Sequence, residues 1–276
     1  MADHAFQTQY RQEFIAGFEQ RQSLVRKTVT TEVEIKGNTA TFLVADSGSA
    51  EAVTRGLNGL IPARADNLSQ SSATLVEWHD LVRRTSFNIF ASQGDGRRIM
   101  QETTMGVINR KIDSDIITTL NTGTQDTGAA ATGSLSLALY AKTILGNNAV
   151  PSDGNISALI TPAFEAYLMQ TKEFASADYV NNKPFAGVLP MFTWAGVNWI
   201  VHPNLPGKGT NAEKCFMYHK SAIGHAINTG DISTAVGYEE EHDYSFCRAS
   251  AYLGSALLQN SGVVVINHDG SAFAAQ

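Results

Sequence analysis

Seven histidines, two cysteines and 26 carboxylates give this chain the side chains for metal or acid–base chemistry, so their spacing is the first question. His219 and His225 stand six apart, which fits neither the i,i+4 pair of a helical zinc site nor a zinc finger. The run Tyr238-Glu239-Glu240-Glu241-His242-Asp243 lacks the alternating oxygen ligands and the glycine of an EF-hand, and reads as solvated charge. His79-Asp80 and His268-Asp269 set imidazole beside carboxylate, but no GxSxG elbow supplies a nucleophile and sequence neighbours seldom face one another. LPGKGTNAEK (205–214) lacks the GxxxxGK[ST] pattern of a phosphate loop. Cys215 in KCFMY and Cys247 in YSFCRAS have apolar surroundings and no CxxC partner, which predicts buried free thiols. These signals do not converge. The expectation is a chain that is not an enzyme and carries no catalytic residue, cofactor or metal, with a cytosolic hydrolase as a lesser alternative.

What must be positioned is therefore structural. The chain has 276 residues, 43% hydrophobic and 17% charged, enough to bury a core in one large or two small domains. A net charge of −6 without a Lys/Arg block argues against a dedicated nucleic-acid binder, since phosphate contacts need concentrated positive charge. No run of apolar residues is long enough for a membrane span, and the opening MADHAFQTQYRQEF lacks the apolar stretch of a secretion signal, so a cytosolic setting without membrane is expected.

Residues 97–123, RRIMQETTMGVINRKIDSDIITTLNTG, carry Met105, Ile108, Ile112, Ile116 and Leu120 at helical spacing, with Arg98, Glu102, Asn109, Lys111 and Asp113 on other positions. With Ser92 or Asp95 as N-cap and Gly123 as a left-handed stop, the helix runs about 25 residues and close to 40 Å. Ahead of it, residues 1–28 are polar and Gln-rich, with only a partial apolar face, which suits an arm that needs a partner surface. TEVEIKGNTATFLVA (31–45) alternates as a strand with a turn or bulge at Gly37-Asn38, and ATLVEWHDLVRRTSFNIF (73–90) is a second strand-like run. The long polar connection between them predicts a β-arm, the two strands forming its shaft and the connection its tip. Such an arm has to bury surface against another subunit.

Beyond the small-residue linker 123–136, residues 136–148 predict a shorter helix, SALIT a buried strand and Pro162 a helix start. Residues 188–209 predict a strand pair about Ala195-Gly196. KCFMYHKSAIGHAI (214–227) reads as strand then short helix, AYLGSALL (251–258) as an apolar stretch, and SGVVVINHDG (261–270) as a terminal buried strand.

KGNTATF (36–42), AEAVTR (50–55), LVEWHDL (75–81) and the helical set Arg110, Asp113, Asp115 and Leu120 together resemble the major capsid proteins of tailed bacteriophages. ISALITPAFEAYL, AGVNWIVHPNLP, YHKSAIGHAI and GVVVI follow in the order such proteins use. The resemblance implies an α+β chain of the Hong Kong 97-type shell fold. In that fold the parts would be an N-terminal arm (1–30), an extended β-loop (31–91), a peripheral domain with its spine helix (92–134), a mainly axial domain (135–235), and a return to the peripheral domain with a C-terminal strand (236–276).

The function this implies is self-assembly, in the host cytoplasm, of hexamers and pentamers into the icosahedral virion capsid, around double-stranded DNA contacted non-specifically. A separate scaffolding protein, a portal and decoration proteins would be partners. An encapsulin-like nanocompartment shell shares the fold and is the alternative. Some relatives weld subunits through a lysine on the extended loop, and here no lysine occurs between Lys36 and Lys111. At the tip, GLNGLIPARADN (56–67), the cations Arg55 and Arg64, together with Asp66, are the expected intersubunit contacts, through arginine's forked donors and a neighbour's carboxylates.

Overall fold

The computed structural model describes residues 22–32, 35, 37–47, 50–56, 58–64, 67–85, 96–175, 191–227 and 233–273. Most of the expected arm and both N-cap candidates, Ser92 and Asp95, lie outside them. The predicted helix is present as α1 (Gly96–Leu120), about 37 Å long. Ile108, Ile112, Ile116 and Leu120 are buried as expected. Asn109 and Asp113 are buried too, contrary to the polar positions expected of them, because 109 and 113 share the buried face of Ile116 and Leu120 at i, i+4, i+7 and i+11. The helix stops three residues before Gly123, whose φ is not left-handed; Gly123 is instead packed so that a Cβ would meet Val263 Cγ1 at 3.0 Å and the Leu120 carbonyl at 3.2 Å. Among the described residues no helix is long and apolar enough to cross a membrane.

A short strand, β1 (Thr30–Glu32), precedes the hairpin of β2 (Thr39–Asp46) and β3 (Asn67–Thr74), which pair antiparallel from Thr39↔Thr74 to Asp46↔Asn67. This corrects the expected shaft. The return strand comes from NLSQSSAT, inside the stretch expected to be loop, and β4 (Val76–Thr85) belongs to a different sheet. Beyond its root the two-stranded arm has no buried face to impose apolar alternation, so β3, of which only Ala73 is buried, left no period-2 signal.

Next come β5 (Ala131–Thr132) and α2 (Leu135–Asn147), whose N-cap Ser134 accepts from the Leu137 amide at 3.2 Å. The fully buried β6 (Ile156–Ile160) leads into α3 (Pro162–Met169), with Pro162 in the first turn, and the short α4 (Lys172–Ala175). β7 (Met191–Trp194) and β8 (Val197–Val201) form the expected hairpin, and Ala195 (φ 53) and Gly196 (φ 73) supply the left-handed pair of a type I′ turn. β9 (Glu213–His219) is followed by one 3₁₀ turn and then β10 (Ile223–Ile227). The short helix expected after Tyr218 is therefore limited to Lys220–Ala222; the His219 side chain caps it and Ile223–Ile227 pair into a sheet. β11 (Ser233–Glu239), β12 (Tyr244–Leu257) and β13 (Val263–Asp269) complete the chain.

One sheet runs β1-β10-β12-β11, with β4 on the opposite edge of β12; the other runs β5-β13-β9-β6-β8-β7. α1 lies across β12 and β4, and a continuous core joins its isoleucines to Trp199, Phe216, Tyr218 and Val263–Ile266. The root of the β2–β3 hairpin has a small cluster of its own: Ala40, Phe42, Ala73 and Ala226. Two glycines permit that approach. A Cβ on Gly224 would lie 2.9 Å from the Phe42 ring, and one on Gly254 would lie 2.3 Å from the Thr74 carbonyl oxygen. Backbone cannot yield as a flexible side chain can, so Gly254→Ala is expected to lower stability by about 1–3 kcal/mol, read from the denaturant midpoint.

Candidate functional site

The histidines that might have served chemistry are dispersed, each in a separate structural role. His219 Nδ1 meets Ser221 Oγ at 2.8 Å and its Nε2 meets Asp153 at 3.1 Å. Asp153 is held low, at about 2, by hydrogen bonds from the Asn155 side chain and backbone and then from His219. His79 contacts Ser250 Oγ at 2.7 Å and Glu77 at 2.7 Å. His268 Nδ1 lies 3.0 Å from Glu213 Oε2. Cys215 and Cys247 are free and buried, as expected. Burial raises the Cys215 thiol to about 12 and moves Cys247 upward as well, which leaves both poor nucleophiles. Among the described residues, Glu239, Glu241 and His242 alone bring three metal-competent atoms within 4.8 Å of one another, at an exposed turn.

Two buried carboxylates organise the molecule. Asp113 on α1 accepts from Ser23 Oγ, from the Leu24 amide at 3.2 Å and from the Val25 amide at 3.3 Å, and its other flank lies 3.4 Å from His202 Nε2. It fastens the entering chain to the long helix. One turn-half further on, Asp115 accepts from Ser255 Oγ at 2.6 Å. Because that hydroxyl's hydrogen goes to Asp115, its lone pair accepts from His225 Nδ1, 3.0 Å away, and in the neutral ring Nε2 is then the unprotonated nitrogen. The second hub, Glu213, accepts from Thr161 Oγ1 at 2.7 Å and the Gly209 amide at 2.5 Å. Thr161 also caps α3 by accepting from the Phe164 amide, so one contact set ties β9, α3, the 203–212 loop and β13.

Thus Asp113 and Asp115 of the sequence signature are fasteners. The spacing argument missed Asp113's burial as well as Glu213, His202 and Thr161; for Thr161 the Thr-Pro pair at a helix start was the available signal.

Burial, and then the charge of Arg26, lower His225 to about 4, with Asp113 opposing. The unfolded chain takes this proton near the ordinary histidine value and the folded chain only near 4, so the unfolded state gains protons first as pH falls. Stability should be unaffected by this group near neutrality and decline from about pH 6.5 down through pH 4, by about 3 kcal/mol in full. Burial moves His268 in the same direction. Denaturant midpoints measured across this range should fall with acid, and His225→Gln should flatten the slope.

The surface most available for association is the projecting hairpin. Leu43, Val53, Leu60, Ile61 and Leu68 are 61–76% exposed, an unusual concentration of apolar surface on one projection. Arg55 and Arg64 are exposed on its connection, and Arg64 also interacts within its own chain. Asp66 lies outside the described residues.

The comparisons with known proteins agree with this architecture. The fold is similar to that of a chain in the capsid structure of Cyanophage P-SCSP1u, at 12% identity and a TM-score of 0.72, covering 96% of this chain and 93% of that one. It is also similar to a chain of Mycobacterium phage Che8 (15% identity, TM-score 0.69, covering 89% and 91%) and to the capsid of a native GTA particle (13%, 0.67, 93% and 93%). Comparison with curated protein sequences finds no match. The long brace, projecting hairpin and two sheets are the Hong Kong 97-type arrangement. The sequence profile described as phage capsid protein matches residues 2–270, and the chain therefore belongs to that family.

Proposed function

We propose that this major capsid protein closes, as hexamers and pentamers, into an icosahedral shell around the double-stranded DNA of a tailed phage. The observation that carries this reading is the β2–β3 hairpin. Its root is packed, yet among the described residues Leu43, Leu60, Ile61 and Leu68 stay 65–76% exposed, and a neighbouring subunit supplies their cover. A net charge of −6 suits a container for DNA, because like-charge repulsion keeps the wall from binding its contents tightly. The stretch from Lys36 to Lys111 has no lysine between its ends, so subunits associate here without an amine for a covalent weld at the tip. Assembly in the host cytoplasm would draw on a separate scaffolding protein, a portal and decoration proteins. The proposed division keeps the arm, peripheral and axial parts but reduces the extended loop to the β2–β3 hairpin with its connection, because β1 and β4 pair with β10 and β12 in the five-stranded sheet.

Overexpression followed by negative-stain microscopy tests the reading: rings, sheets or closed particles of megadalton mass support it, and a persistent monomer counts against it. Within the shell, Arg55, Arg64 and Asp66 make polar contacts to a neighbour. Arg64→Ala is expected to leave the subunit folded but to weaken each contact by about 1 kcal/mol, repeated by symmetry, so that particle yield or melting temperature falls. Unchanged particles would remove Arg64 from the contact.

A further inference from the structure

The turn between β11 and β12 and the cleft beside residues 22–28 carry opposite charge. Glu239, Glu240, Glu241 and Asp243 place four carboxylates in five consecutive residues. The turn is ordered: Tyr238 Oη donates to Asp243, and Asp243 adopts φ 48. Glu239, Glu241 and His242 converge to within 4.8 Å. Arg83 and Arg84 on adjoining β4 offset only part of this charge, and Arg83 stands over the Tyr244 ring at 4.9 Å. Concentrated like charge of this kind favours a cationic partner.

A matching surface exists on the same chain. A cavity of about 290 Å³ lies between residues 22–28 and the six-stranded sheet; it is lined by Lys27 and Lys220, the amides of Asn155 and Asn198, and apolar Leu24 and Ile200, with no acidic side chain among its lining residues. Both lysines are exposed. Asp153, two residues from Asn155, is engaged by Asn155 and His219.

The two surfaces cannot meet within one molecule. β12 starts at the acidic turn with Tyr244 and ends at Leu257, which pairs with Ile223 immediately after the 3₁₀ turn carrying Lys220. At about 3.3 Å per residue this strand sets the turn roughly 40 Å from the Lys220 end. Contact between different surfaces of identical chains is head-to-tail, the kind that propagates around rings and closed shells. Resting on the shell reading, we infer that the turn Glu239–Asp243 of one subunit docks its carboxylates between Lys27 and Lys220 of a neighbouring subunit.

Zero-length carbodiimide cross-linking of assembled wild-type particles, with peptide mass spectrometry, tests this. The expected product joins Lys27 or Lys220 to the peptide bearing Glu239–Glu241, between chains, and is absent from dissociated subunits. In parallel, the Lys27→Glu/Lys220→Glu and Glu240→Lys/Glu241→Lys variants should each reduce particle yield on the order of tenfold while melting like the wild-type subunit, and combining all four substitutions in one chain should restore yield. Links from these lysines to Asp3, Glu13 or Glu19, or to no acid, would overturn the contact. So would a combined variant that is folded yet assembles no better than either parent. A wild-type chain that forms no particles would overturn the shell reading, and this contact with it.

Discussion

Asp113→Ala is expected to unfasten residues 23–25 from α1 and to cost about 3–5 kcal/mol, a large fraction of a domain's net stability. The carboxylate is fully buried and accepts from one hydroxyl and two backbone amides, while His202 Nε2 lies on its far side. Removing it leaves those donors without a charged acceptor in a fully buried site. The loss should be local first. Arg26 and Lys27 immediately follow the released amides, so trypsin should cut there sooner than in the wild type, and the denaturant midpoint should fall. Asp113→Asn, which keeps the shape and one acceptor oxygen, should lie between the two. If midpoint and cleavage rate are unchanged in Asp113→Ala, the carboxylate is not the fastener.

Glu213→Ala should be comparably severe, about 3–5 kcal/mol, with a different local signature. Its carboxylate takes the Thr161 hydroxyl and the Gly209 amide, and lies 3.0 Å from His268. Gly270 sits so close that a Cβ there would lie 2.3 Å from the carboxyl carbon, so the space is fitted to this side chain. Truncation leaves a cavity lined with donors, which is worse than an apolar one of the same size. Amide exchange should quicken at Gly209 and at the start of α3 while α1 remains protected. Uniform loss of protection would instead show that Glu213 acts on the whole core.

How far the sequence foretold this differs by element, for physical reasons. α1, α2, β6, α3, the β7–β8 hairpin and β13 were legible because each buries a face or carries a terminal signal: an apolar stripe, a run of five buried residues, Pro162, Ala195-Gly196. β3 was not, because NLSQSS faces solvent in a two-stranded arm and nothing demands alternation there. β10 was misread as helix because Ile223–Ile227 is wholly buried on both faces, and a short continuous apolar run does not reveal its period. Asp113 was legible as part of a sequence signature yet not as a fastener, since its partners lie some ninety residues earlier in the chain. Arg55 and Arg64, expected as tip contacts, are exposed and Asp66 lies outside the described residues, and a partner subunit is what would give them meaning.

On the proposed function the chain is a tile whose projecting hairpin is completed by its neighbour. Cryo-electron microscopy of particles assembled from the purified chain would decide this. The predicted result is a closed shell of six- and five-membered rings, in which Leu43, Leu60, Ile61 and Leu68 of each subunit are covered by an adjacent one. A shell in which those residues remain in solvent, or a chain that stays monomeric at every concentration, would contradict it.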